Sequence, residues 1–194
     1  MPNSGITLLY VGWMIFIVLI VIVVSRRRVK AMKAAAQSAG LSDIRAGFMG
    51  RVSGSWRGYT VTWRMFGGGK SGPERGVVEI AAATPARLTI HKRATLDINI
   101  SPFGPPIVQT AFDGEYVVRS DDIMLAQHLL GDPKIAAQLR ATLMERADKL
   151  ELNSSRVRAT RVVRAISRDQ ALRAAWQLAS TIVEQLGLPQ VSDS

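Results

Sequence analysis

The chain has 194 residues, 47% of them apolar, and carries 25 Lys and Arg against 15 Asp and Glu, a formal net charge of +10. Its length fits one domain with at most a small addition. The absence of cysteine excludes a disulfide scaffold, a thiol nucleophile, an iron–sulfur cluster and a thiolate zinc site, while the positive surplus points first to nucleic acid or an anionic membrane.

The first element is residues 6–24, ITLLYVGWMIFIVLIVIVV, 19 residues without a charge. As a helix it rises about 28 Å, close to the hydrocarbon core of roughly 30 Å. Fourteen of its residues are Ile, Leu, Val or Phe, together worth about 4 to 8 kcal/mol of insertion. The stretch predicts a transmembrane helix. A cleaved signal peptide needs a basic start and small residues at the cleavage site. Residues 1–5, MPNSG, hold no Lys or Arg, and Ser25-Arg26-Arg27-Arg28 follows the run.

Arg26, Arg27, Arg28, Lys30 and Lys33 all lie just after the span. The positive-inside rule then puts residues 1–5 outside the membrane and the rest in the cytoplasm. The same five residues are candidate contacts for anionic headgroups of the lipid bilayer. Nothing ionisable stands within the span to serve transport or a proton relay. Gly5 and Gly12 are compatible with docking on another membrane protein. Residues 25–40, rich in Ala, Lys and Arg, continue as a basic juxtamembrane helix until Gly40 stops it.

Residues 41–188 read as a cytoplasmic α+β domain, an antiparallel sheet packed by two or three C-terminal helices. Residues 59–66 alternate strictly, with Tyr59, Val61, Trp63 and Met65 on one face, as in a half-buried strand. Residues 47–55 are its hairpin partner, with the turn near Trp56-Arg57-Gly58. Residues 67–76, GGGKSGPERG, form a loop. Strands follow at 77–84 and 87–92, broken at Pro85; Leu96, Ile98 and Ile100 alternate again. Ser101 to Pro106, SPFGPP, is a break, and residues 115–119 make a last strand of this half. Ser120 then caps a helix with Asp121 and Asp122 in its first turn, ended by Gly131.

Asp132 caps a second helix with Pro133 in first position, its stripe of Ile135, Leu139 and Leu143 reaching about Ala147. Residues 149–152 and 156–163 pair as strands around Asn153-Ser154-Ser155. Ser167-Arg168-Asp169-Gln170 is a capping box. It opens a final helix whose apolar face is Leu172, Ala175, Trp176, Ala179, Val183 and Leu186, ended by Gly187 and Pro189. Residues 189–194 form a tail.

Chemistry-bearing groupings are few. Gly67-Gly68-Gly69-Lys70-Ser71 suggests a phosphate loop, but Arg64 stands where that motif needs its first Gly and Gly72-Pro73 replaces the following helix. Asp121, Asp122 and Asp132 serve as helix-start acids. His91 and His128 lie on different elements without ligand-spaced acids, so no metal or other cofactor is expected. Arg156, Arg158, Arg161, Arg164 and Arg168 are the densest basic stretch beyond the membrane flank. They form a possible interaction stripe for a protein, a lipid or a nucleic acid. Aromatics make up 6% of the chain, which leaves little to stack on bases and makes nucleic acid the least favoured partner.

The anchor, the Arg-rich flank, Ala39-Gly40-Leu41 with a Gly-punctuated hairpin, the stretch from Phe112 to Asp122 (FDGEYVVRSDD) and the capped C-terminal helix occur in that order. This arrangement is similar to a group of uncharacterised single-pass, membrane-anchored bacterial proteins with a small cytoplasmic α+β domain. The resemblance implies an architecture and a bacterial inner-membrane setting, and assigns no functional residue. The expected function is non-enzymatic: a tethered binding or scaffold module, as an accessory subunit of a membrane complex. Two alternatives stand beside it. One is a peripheral lipid or nucleic-acid binder acting through the Arg stripe. The other is a tethered enzyme with Asp97, Asp113 and Glu115 converging in a cleft.

Overall fold

The computed structural model describes residues 4–47, 50–67, 72–93, 115–145, 147–164 and 166–191. The first helix, α1, runs Ser4–Ser38 as one unbroken element of 35 residues, about 52 Å long. It ends in a two-bond Schellman turn. Gly40 takes φ +82, a left-handed conformation that costs glycine little. The Gly40 N–H donates to the Gln37 carbonyl and the Leu41 N–H to that of Ala36, satisfying two terminal carbonyls. Leu41 is turned into the core, together with Met32, Ala35 and Ala36 from the last turns of α1.

The sequence places a transmembrane helix at residues 6–24. A helix is there, but among the described residues no helix is long and apolar enough to cross a membrane. The fold by itself does not establish a span.

The domain is α+β, as the strand and helix patterns predict. Its strands are β1 (Ser42–Ala46), β2 (Arg51–Trp56), β3 (Tyr59–Phe66), β4 (Arg75–Ile80), β5 (Leu88–Lys92), β6 (Tyr116–Ser120), β7 (Lys149–Asn153) and β8 (Arg156–Val162). They form one eight-stranded sheet in the order β1-β2-β3-β4-β8-β7-β5-β6, every pair antiparallel. The β7–β8 hairpin is inserted between β4 and β5, which are consecutive in the chain. The β4–β5 connection grips its tip, with Thr84 Oγ1 donating to the Asn153 carbonyl at 2.6 Å.

Alternation decides what each face carries. One face presents Val52, Val61, Trp63, Val78, Ile80, Leu88, Ile90, Leu150, Leu152, Val157 and Ala159 to a single core. The helices α2 (Ile123–Gly131), α3 (Pro133–Thr142) and α4 (Arg168–Leu186) bury their apolar residues in the same core. The longest of these, α4, crosses the centre of the sheet over β4 and β8. Trp176 on α4 packs edge-on against Trp56, ring centroids 5.0 Å apart, and near Trp63. Each buried Leu, Ile or Val contributes about 1.5 to 3 kcal/mol. The capping box of Ser167 and Gln170 is formed on both sides. All four helices lie on this face. Among the described residues no helix lies on the other, which is rich in arginine around Glu79 and also carries Val77, Val117 and Val162, each buried and outside that core.

Several expectations are corrected. Ser120 ends β6 and does not cap α2; its hydroxyl accepts from the Asp122 N–H, and the Asp122 carboxylate caps by accepting from Leu125. Asp121 lies before the helix and accepts the Arg87 N–H at 2.7 Å. α3 stops at Thr142 and not near Ala147, because Asp148 is drawn into the sheet. The partner of β3 begins at Arg51, and β1 is an additional strand. Its alternation is broken by a register shift between Ser42 and Arg45 and by Asp43 at φ +50.

The strand expected at 77–84 runs Arg75–Ile80, starting inside the segment expected as a loop over 67–76. The Arg57-Gly58 turn, both residues at positive φ as a two-residue hairpin requires, the Asp132 cap with Pro133 and the β7–β8 pair follow the predicted pattern. Pro189 and Gln190 are held by the domain through Ala83 and Ala82. The alternation at Leu96, Ile98 and Ile100, the break at 101–106 and the start of the FDGEYVVRSDD stretch lie outside the described residues.

Candidate functional site

Two surfaces stand out from a core that is otherwise conventional. The first belongs to α1. Tyr10, Val11, Trp13 to Ile20, Ile22 and Val23 are between 40% and 67% exposed, on every side of the helix. No described element covers them, in contrast to a surface helix with one apolar stripe. The basic flank follows on the same helix. Arg26 and Lys30 are exposed and Lys33 is half-buried; Arg27 and Arg28 lie on α1, their side chains outside the described ones.

The second surface is the open face of the sheet, where the registers bring Arg51, Arg64, Glu79, Arg156 and Arg158 together. Arg158 faces Glu79 directly across β8 and β4, its Nε donating to the carboxylate at 2.6 Å. Arg64 reaches the second Glu79 oxygen at 3.1 Å and Arg156 stands 3.7 Å from the first. The Glu79 side chain is 10% exposed. Arg51 is cross-strand from Arg64 and donates to Thr62 Oγ1 at 3.4 Å. Glu151 accepts from Lys149 at 2.8 Å and lies 3.6 Å from Arg158. The Nε atoms of Arg64 and Arg156 are buried without an acceptor among the described residues. At one end of this face a cleft of about 580 Å³ is lined by Arg75, His91, Lys149, Arg164 and Glu145 among others.

The five-arginine stretch does not stay together. Arg156 and Arg158 share the open face, whereas Arg161 points to the helix side and is buried against Asp148. Arg164 lies past the strand end, 3.7 Å from Glu145, and Arg168 at the start of α4 pairs with Glu74 at 2.7 Å. Each of the five is therefore answered by an acid. Arg51, Arg64 and Glu79 were not singled out in the sequence. Their signal is strand parity, which puts Thr62 and Arg64 on the face opposite Trp63 and puts Glu79 opposite Val78. The β4–β8 pairing that joins them to Arg158 is remote in the chain.

His91 is half-buried with Nδ1 3.1 Å from the Lys92 carbonyl, and His128 is exposed on α2. Among the described residues no group of three His, Asp or Glu is placed to hold a metal. Glu115 lies 3.7 Å from Lys92; Asp97, Asp113 and the Gly68 to Ser71 part of the glycine loop fall outside the described residues.

No family model matches the sequence, and no curated protein matches it. Among solved structures the chain is similar to the crystal structure of the mycobacterial trehalose monomycolate transport factor A, TtfA. The TM-score is 0.55 with 17% identity, over 87% of this chain and 98% of that one. At that identity the likeness is one of fold.

Proposed function

We propose that this chain is a single-pass protein of the bacterial inner membrane whose cytoplasmic α+β domain acts, without catalysis, as a binding or scaffold module of a larger membrane assembly. The observation that carries this reading is the uncovered apolar surface of α1, large side chains exposed all round from Tyr10 to Val23. Water-exposed surface of that size is unfavourable at about 25 cal/mol per Å², and lipid removes the cost. Sequence supports the same reading, because the uncharged run extends over residues 6–24 and is followed by five basic residues. The accessory role is supported by the likeness of fold to a protein named as a transport factor.

Topology provides the test, and the lack of cysteine makes it clean. Asn3→Cys and Ser155→Cys variants are exposed to a membrane-impermeant maleimide. In intact spheroplasts the Asn3→Cys variant should label and the Ser155→Cys variant should label only after lysis. Equal labelling of Ser155→Cys in intact spheroplasts, or release of the chain from membranes by alkaline carbonate, would overturn the anchor. Native-mass co-purification in mild detergent tests the scaffold part: a partner should be retained, and a lone monomer at every concentration would refute it.

A further inference from the structure

We propose that the open face of the sheet carries an oxyanion site for a phosphate-bearing ligand, built by Arg51, Arg64, Arg156 and Arg158 around Glu79. The inference does not depend on α1 crossing a membrane. Three guanidinium groups, those of Arg64, Arg156 and Arg158, converge there on one carboxylate, and Arg51 stands beside them, cross-strand from Arg64. The next acid, Glu151, is shared between Arg158 and Lys149. Arg51 and Arg64 are direct cross-strand partners, an arrangement in which like charges repel. Arg156 and Arg158 stand two apart on one strand, hence side by side. Glu79 draws Arg64, Arg156 and Arg158 inward and so holds their planar forks ready, but it offers only two oxygens.

The buried Nε–H groups of Arg64 and Arg156 lack acceptors among the described residues, and orphaned buried donors of this kind are rare in native proteins. A phosphate dianion supplies acceptors for them. It also brings the cluster close to neutrality, and guanidinium forks match its geometry bidentately. The aromatic rings Trp56, Tyr59, Trp63 and Tyr116 lie on the helix side of the sheet. Among the described residues strand parity puts one ring, the exposed Phe66 at the end of β3, on the open face; a strand of bases needs a succession of such surfaces, and a compact oxyanion suits the face better.

The test uses the full chain in dodecyl maltoside micelles, with calorimetry as the readout. One arm titrates inorganic phosphate at constant ionic strength, with chloride as control. A second titrates micelles containing dioleoylphosphatidic acid, with dioleoylphosphatidylcholine as control. Saturable binding is expected in at least one arm. Free phosphate alone would indicate a soluble ligand, and phosphatidic acid alone a lipid headgroup. Arg64→Gln and Arg156→Gln should each weaken binding tenfold or more, while Arg173→Gln, at an exposed position on the far side of α4, should leave it unchanged.

Circular dichroism follows the fold of each variant. Arg51 is exposed and outside the Glu79 ion pairs, so Arg51→Gln should weaken binding about threefold without affecting the fold. No saturable binding in either arm, or the same affinity for the wild type and Arg51→Gln, would overturn the proposal. An Arg173→Gln loss equal to that of Arg64→Gln would do the same.

Discussion

Asp148 has no solvent exposure and accepts from three groups. The Val162 N–H reaches Oδ1 at 2.6 Å and the Glu145 N–H reaches Oδ2 at 2.6 Å, and the Arg161 guanidinium completes the set. This one carboxylate ties the segment after α3 to the end of β8. Arg161 is itself buried, with its Nε unsatisfied, so it depends on Asp148 for its charge. Asp148→Asn removes the charge and turns one of the two accepting oxygens into an NH2 donor that faces another donor. It should cost about 3 to 5 kcal/mol in urea unfolding, the usual result of stranding one member of a buried pair. Adding Arg161→Met removes the stranded cation and should restore part of the loss, giving a non-additive cycle. A single-variant cost below about 1 kcal/mol would mean that Arg161 finds water when its partner is neutral.

At the level of elements, β1 packs where Gly54 of β2 makes room for it. A Cβ at Gly54 would sit 2.8 Å from the Ser42 carbonyl oxygen and 3.4 Å from Ile44 and Leu41. Because the closest atom is backbone, Gly54→Ala should destabilise by about 1 to 3 kcal/mol, as overpacking does. Thermal melts and faster hydrogen exchange at β1 amides would report it. Legibility in the sequence follows from how local the signals are. α4 could be read from residues within one helix: Ser167 and Gln170 to start it, Leu172, Ala175, Trp176, Ala179 and Val183 to orient it, Gly187 to end it. β1 could not, because the register shift after Ser42 breaks its alternation. The β7–β8 hairpin was visible around Asn153, but its insertion between β4 and β5 rests on pairings far apart in sequence. For the same reason the arginines dense along the chain separate in space, and the cluster around Glu79 draws on β2, β3, β4 and β8.

Across the whole molecule, two places concentrate positive charge. Five of the 25 Lys and Arg lie within residues 26–33 of α1, and the open sheet face gathers Arg64, Arg156 and Arg158 around one buried acid, Glu79, with Arg51 cross-strand from Arg64. The same helix that exposes Tyr10 to Val23 buries Met32, Ala35 and Ala36 in the core, with no turn or glycine-rich linker between. Under the proposed anchoring, α1 is therefore a keyed shaft and not a leash: the azimuth of the domain about the membrane normal is set by helical phase. One alanine inserted after Arg28 should swing the domain by about 100° and advance it about 1.5 Å. Recovery of a membrane partner in co-purification should fall with one or two inserted alanines and return with four, which nearly restores the phase. A loss that grows steadily with length, without that return, would mean the partner reads distance and not angle.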